Sequence, residues 1–554
     1  MPAKSSEFVA VVLAGTKGSR LFPLTSGEIP KHLMPVGGVP ILSRLLDTIQ
    51  SSGFSSSIIA VSGDDSVTVP FLKDHGFSVK DSATTTDKPD VTADPFLDQQ
   101  HGLEHGSSNP HVTLEQKDIS NNKALQSFEV TVVPLSEDCA GSAEALRQLD
   151  ASIPSKSHVV VIPGDLVVLE EKILTKLVDT HRQGNVEVLT NPHSAVTMLL
   201  ADVGEQDEHG IPLKESAKQK KGGLAREIED IEYIGLSFAS NDAISTRTFK
   251  QAPRVIWKQS KMDVEDDDGT GSTPKLRFPK MRLHASSITR VRTDWSDLHT
   301  YAVSPWVRQL LVARPHADSL QGDILPLLVS RQFKGVLATF GETALQENKD
   351  LVGNVLGQPP FAATADETSP EMDSSTTDKL LDSSGKIHSY AVSAVVLESK
   401  SEKSTNSNTV MALRASSVPA YLYSCRELVA RAVEDDNHIH NHCLKLPEKT
   451  QLQTKFHSVL LQEASTGDKV RCQFSTVGRR AKLGSKCRLN NVVVMDNVTV
   501  GDNCVLQNSI LGAGCIVGDN CNLNDCQVAP GTAIPSGTKE KGESFLQEEM
   551  AHDE

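Results

Sequence analysis

Two glycines and two cations near the amino terminus have the types and spacing to hold an anion. In this 554-residue chain the run Leu13-Ala14-Gly15-Thr16-Lys17-Gly18-Ser19-Arg20 follows an apolar stretch, Phe8 to Ala14, and Pro30-Lys31-His32 comes shortly after. A Gly-rich turn at the end of a buried strand can aim backbone N–H groups at a phosphate, and Arg20 and Lys31 would add fixed positive charge there. The same glycines, Gly15 and Gly18, could instead serve only a tight strand-to-helix turn. Thr16 restricts the loop, because a Cβ disfavours the positive-φ turn and the close backbone approach that glycine permits. A carboxylate suited to a metal ion ends a second apolar run, Val159-Val160-Val161-Ile162-Pro163-Gly164-Asp165. The end of a parallel strand is where ligands gather in open α/β sheets. Gly141-Ser142-Ala143-Glu144 reads as a helix start with Ser142 as its N-cap.

These groups need a sheet to hold them. Ile41, Leu42, Leu45, Leu46 and Ile49 recur at helical spacing, and Ile58-Ile59-Ala60-Val61 follows as a short buried strand. Phe128 to Val133 predicts a strand, Ser142 to Leu149 a helix, Val159 to Ile162 a strand, and Ile173, Leu174, Leu177 and Val178 one helix face. This βαβ alternation predicts an α/β, Rossmann-like domain with a mostly parallel sheet over residues 1–435. Polar stretches near 81–122, 262–274, 341–385 and 399–408 read as insertions, which loop-closure entropy penalises only weakly. The acidic run Asp263 to Asp268 reads as a solvated loop.

From Val477 onward the chain repeats every 17 residues. Val477, Val494, Leu511 and Val528 form one aliphatic series, Leu483, Val500, Val517 and Ile534 a second, and Leu489, Leu506 and Leu523 a third. Three series imply three faces, a triangular parallel β-helix over residues 436–540, with Gly484, Gly501 and Gly518 at permissive corners and an acidic tail at 541–554. Cys487, Cys504 and Cys521 fall in one column, read as interior packing, and Asn491, Asn508 and Asp525 in another, read as turn residues bonding the backbone. His438, His440, His442 and Cys443 lack the second ligand cluster of a zinc site and read as a solvated or partner-facing strand.

Composition removes several function classes. Hydrophobic residues make up 38% of the chain, and no apolar run approaches the roughly 20 residues of a spanning helix, so no membrane role is expected. A net charge of −16 argues against direct nucleic-acid binding. Nine cysteines and a start without an apolar leader fit reduced thiols and cytosolic residence.

The loop at 13–25 with Pro30-Lys31-His32, together with the strand ending at Asp165, resembles the signature of sugar-phosphate nucleotidyltransferases. These join a sugar 1-phosphate to a nucleotide and release pyrophosphate. The resemblance implies that Asp165 would hold magnesium and that Gly15, Gly18, Arg20, Lys31 and Gly141 would line a nucleotide pocket. It is imperfect. Active members carry paired glycines in place of Gly15-Thr16, Pro-Lys-Pro in place of Pro30-Lys31-His32, and a second metal-binding Asp whose motif the acids of Thr293 to Tyr301 do not match. The intervals of six, six and five residues between the three aliphatic series, as in Val477, Leu483, Leu489 and Val494, resemble the left-handed hexapeptide-repeat helix that often follows such a domain.

The altered loop, the runs Ser319 to Phe333 and Ala420 to Leu428, and the terminal coils are together similar to the gamma-subunit family of eukaryotic translation initiation factor 2B. That resemblance implies a non-catalytic subunit of the complex that exchanges GDP for GTP on initiation factor 2. Its partners would be the epsilon and other subunits and initiation factor 2 itself, with no required cofactor and at most a residual GTP or sugar nucleotide with magnesium. The chain ends soon after its last coil, so the helical exchange domain of epsilon is not expected. The flat solenoid faces and an exposed sheet edge would supply pairing surfaces. Two alternatives stand beside this reading: an active guanylyltransferase making GDP-mannose, and a regulatory subunit that binds a sugar nucleotide without converting it.

Overall fold

The computed structural model describes residues 7–15, 19–25, 29–63, 65–81, 128–186, 193–203, 224, 226, 228–238, 252–266, 288–332, 390–397, 411–434 and 441–546. The strand Phe8–Leu13 is apolar along its whole length because it lies mid-sheet and is covered on both faces. It runs parallel to Ser56–Ser62 on one side and to His158–Pro163 on the other. Glu129–Leu135 and Ser78–Asp81 extend the parallel half. The helices Ile41–Ser51 and Ser142–Leu149 follow the strands as the apolar spacing requires.

Beyond His158–Pro163 the eleven-stranded sheet changes character. Trp295–Val303 pairs antiparallel with it and with His193–Asp202. Tyr390–Leu397 returns parallel to His193–Asp202, and Arg254–Ser260, Glu232–Phe238 and Ile288–Arg292 close that edge in antiparallel pairing. Apolar side chains form a separate core on each face of the sheet. The acidic run is corrected in part. Asp263 to Asp266 belong to a short helix, Lys261–Asp266, that continues directly from a sheet strand, while 267–274 lie outside the described residues, as do the stretches at 82–122, 341–385 and 399–408. Among the described residues no helix is long and apolar enough to cross a membrane.

The repeat builds a parallel β-helix of three stacked sheets. Each aliphatic series forms one column of Cα partners: Val477 over Val494, Leu483 over Val500, Leu489 over Leu506. The ladder is longer than the aliphatic pattern predicts. It begins one coil earlier, where Leu460 pairs with Val477 and Cys472 with Leu489, and it runs past residue 540 to Ser544–Phe545, inside the expected tail. The cysteine column is interior: Cys487, Cys504 and Cys521 are buried, and each thiol donates to a carbonyl of the next coil, 3.1 Å for Cys487 to Gly501.

Two columns owe their identity to causes other than those expected. Asn491, Asn508 and Asp525 take the left-handed conformation, and the side chains bond one another: Asn491 Nδ2 donates to Asn508 Oδ1 at 2.9 Å, and Asn508 Nδ2 to Asp525 Oδ1 at 3.0 Å. Gly484 and Gly501 are set by want of room. A Cβ on Gly484 would sit 2.5 Å from the Gly501 carbonyl oxygen, and one on Gly501 would sit 2.8 Å from Asp519 N.

One solenoid face is not free. Val493, Met495 and Ile510 are buried in the same core as the sheet-covering residues Leu42, Leu45 and Leu413 of the α/β domain, and Val459 and Leu461 pack with Val429 of the Val418–Glu434 helix. Around this junction Arg44 is fully buried and donates to the carbonyls of Val36, at 2.9 and 3.1 Å, and of Cys443, at 3.2 Å. Cys443 is buried there, His442 lies in the adjoining short turn, and His438 and His440 lie outside the described residues.

Candidate functional site

The site lies where strands Phe8–Leu13 and His158–Pro163 end side by side, Leu13 opposite Pro163. Two residues beyond Pro163, Asp165 turns into the interior and is 0% exposed. Lys31, in the short turn Lys31–Leu33, reaches its Oδ2 at 2.8 Å. Arg414 takes both oxygens, Nε donating to Oδ1 at 3.2 Å and a terminal nitrogen to Oδ2 at 3.1 Å. Arg414 arrives there because Ala412–Arg414 pairs antiparallel with Leu166–Val168, and Ala415 N donates to the Asp165 carbonyl at 2.8 Å. Burial alone would push this carboxyl up, but Arg414 and Lys31 outweigh it and hold it well below the usual carboxylate range.

Arg414 also bonds His299 Nδ1 at 2.8 Å. His299 sits at φ 51° where the Trp295–Val303 strand is irregular, and burial, reinforced by Arg414 and Lys258, keeps its imidazole neutral. Next to it, Asp297 accepts from His299 N and from the Tyr301 hydroxyl, both at 2.8 Å, and lies 3.4 Å from Lys258 Nζ. Lys258 in turn donates to Glu232, which also accepts from Gln321 at 2.8 Å. Burial disfavours the charged lysine, yet Glu232 and Asp297 raise its pKa. Asp230, Glu232, Asp297, His299, Gln321 and Arg414 line a cleft of ≈ 50 Å³. That is room for a few water molecules, where small-molecule pockets usually offer about 300–1,000 Å³.

Of the residues the sequence pointed to, the fold brings Lys31 and Asp165 into direct contact. Gly15 follows the same strand, and a Cβ there would stand 3.1 Å from Leu135 Cδ1. Arg20 forms a partly exposed ion pair, 2.9 Å, with Asp230, which lines the same cleft. Gly18, with Thr16 and Lys17, lies outside the described residues. Gly141 is the N-cap of Ser142–Leu149 in place of Ser142, whose hydroxyl instead accepts from Leu320 N at 2.9 Å. A Cβ on Gly141 would lie 2.5 Å from the Asp318 carbonyl oxygen, so it serves close packing.

Magnesium demands near-octahedral oxygen ligands and usually takes one or two carboxylates plus water and phosphate. Both oxygens of Asp165 already accept from fixed cations, and among the described residues no three His, Cys, Asp or Glu side chains converge as a metal site. The described residues do not fit a resident magnesium ion.

Beside the site, His32 is buried and bonds Thr68 Oγ1 at 2.7 Å, which donates to Asp65 at 2.6 Å. Burial pushes its pKa down to about 4, with Asp65 opposing. Below the free imidazole value of roughly 6.5 the unfolded chain binds a proton that the native His32 refuses, so stability falls as pH drops from there toward 4, by at most about 1.4 kcal/mol per unit. Urea midpoints at pH 7.5 and pH 5 should show this decline, and His32→Gln should flatten part of it. An unchanged slope would contradict a neutral His32.

Comparison with known proteins agrees with this architecture. Residues 9–128 match the nucleotidyl transferase family and residues 459–538 match the GMPPB C-terminal domain. Translation initiation factor eIF2B subunit gamma of Schizosaccharomyces pombe is 22% identical over 329 residues, 59% of this chain and 52% of that protein, so the match spans about half of that relative's length. Short stretches match a mannose-1-phosphate guanylyltransferase of Mycobacterium tuberculosis, 45% identical over 10% of this chain and 14% of that one. A bifunctional IPC transferase and DIPP synthase of Aquifex aeolicus is 39% identical over 13% and 17%. The chain therefore carries a nucleotidyl transferase domain followed by a parallel β-helix.

Proposed function

We propose that this chain is a non-catalytic or regulatory subunit of the guanine-nucleotide exchange complex that acts on translation initiation factor 2, supporting a catalytic epsilon subunit in the cytosol. The observation that carries the non-catalytic part is the closed ion pair of Asp165 with Lys31 and Arg414 at the carboxyl ends of the parallel strands. Phosphoryl-type transfer needs a metal and cations free to meet developing charge on the substrate. Here the cations are spent on the protein's own carboxylate. The similarity to the gamma subunit, and the presence of a many-coiled solenoid beside the ion-paired Asp165, support a role in assembly.

Purified protein given GTP, mannose 1-phosphate and magnesium should release pyrophosphate at less than about 10⁻³ s⁻¹, far below the roughly 1–10³ s⁻¹ of ordinary enzymes. Turnover near 1 s⁻¹ would establish instead the second reading, a guanylyltransferase making GDP-mannose, which the GMPPB C-terminal match favours. For the assembly, tagged protein recovered from cell extract should bring the other exchange-factor subunits with it, identified by mass spectrometry.

A further inference from the structure

We propose that the solenoid edge between the Lys482–Leu483 and Arg488–Asn490 strands is a docking surface for an acidic, partly apolar segment of a partner protein. The inference rests on the fold and stands apart from the reading of the nucleotide site.

Five exposed cations gather there within two adjacent coils of a chain whose net charge is −16. Arg471 and Arg488 are direct Cα partners in the ladder, one strand spacing of about 4.8 Å apart. Lys469 and Lys486 occupy the same left-handed corner one repeat apart, at φ 57° and 61°. Lys482 completes the group from the neighbouring sheet. None of the five forms an ion pair among the described residues. Arg471 lies over the Phe456 ring. Three exposed acids share this corner, Asp468, Asp502 and Asp519, the last two each with one oxygen accepting from a backbone N–H, of Ser485 at 2.6 Å and of Asp502 at 2.7 Å, so the five cations outnumber the carboxylates there. Like charges directly opposite on paired strands repel, so this arrangement is one that an anionic partner relieves.

The same columns then turn apolar. Arg488 is followed by Val505, 41% exposed, and Lys482 leads through Thr499 to Ile516, 55% exposed. These two are exposed aliphatics on a solenoid whose other large side chains are mostly interior. A basic strip continuous with an apolar one matches carboxylates followed by aliphatic side chains. A nucleic-acid backbone would meet the cations but find nothing to match the exposed aliphatic side chains of Val505 and Ile516. The third solenoid face is already buried against the α/β domain, and in a triangular prism the corner between the other two lies opposite it. This edge is therefore open to another molecule.

The test uses the full-length chain, and fluorescence anisotropy with a labelled peptide of Glu-Asp pairs alternating with Leu, the same peptide with Ser for Leu, and a labelled oligouridine RNA. The Leu peptide should bind, weaken severalfold between about 50 and 200 mM salt, and lose at least tenfold in Lys482→Glu/Lys486→Glu/Arg488→Glu. Ile516→Ser and the Ser peptide should each weaken it about threefold. All four side chains are exposed, and unchanged thermal melts confirm that the variants fold. No binding, binding indifferent to charge reversal, or oligouridine bound as tightly as the peptide would overturn the proposal. So would a dimer, seen by sedimentation, that the triple variant abolishes, because the occupant would then be a second copy of this chain.

Discussion

Arg414→Met is expected to lower the unfolding free energy by about 3 kcal/mol, the lower end of the range for removing one member of a buried ion pair. Asp165 is fully buried, and its charge is offset by Arg414 on both oxygens and by Lys31 on one. Without the guanidinium a single ammonium remains to balance a fully buried carboxylate. The cost should come from the stranded charge and not from the lost contact itself, so Asp165→Asn/Arg414→Met should recover a good part of it. Linkage gives an independent check. The native carboxyl is held below its unfolded value, so its contribution is complete above roughly pH 4 and is lost as pH falls below that. Urea titrations should therefore show a steep acid limb in the native protein, and a shallower one in Asp165→Asn. Equal acid limbs, or an Arg414→Met melt within 0.5 kcal/mol of the parent, would refute the account.

The parts of this molecule legible in sequence are those whose physics is local. Phe8–Leu13 and His158–Pro163 announce themselves by unbroken apolar runs, and the 17-residue recurrence of Val477, Val494, Leu511 and Val528 fixes the coil register outright. The first coil escapes that pattern because Cys472 holds the position filled later by Leu489, Leu506 and Leu523. Lys31 and Asp165 were each readable as site residues. That they would neutralise each other was not, because the decisive partner, Arg414, lies 249 residues from Asp165 at the end of a three-residue strand. Nothing near Arg414 marks it. Asp297 lay among acids visible in sequence, yet its role depends on Lys258 and Glu232 from two other strands of the sheet.

The docked solenoid face did leave a signal that periodicity alone passes over. In most short solenoid strands one residue points inward and its neighbour is exposed, as in Lys482–Leu483, Thr499–Val500 and Ile516–Val517. Two strands of the docked face are instead aliphatic at both positions: Val493–Val494 and Ile510–Leu511 are buried at each residue. An outward aliphatic residue covered by another domain is expected to be far less tolerant of charge than one left in water. Ile510→Asp should cost about 3 kcal/mol or more, because it places an unpaired carboxylate in the core shared with Leu42 and Leu45. Ile516→Asp, an equal change one coil-face away, should stay within about 0.5 kcal/mol. If the α/β domain and the solenoid stabilise each other through this face, the parent should melt in one transition and Ile510→Asp in two, with the solenoid unfolding at the higher temperature on the strength of its own interior ladder. Equal effects of the two substitutions on the melting curve would show that the face is not a structural junction.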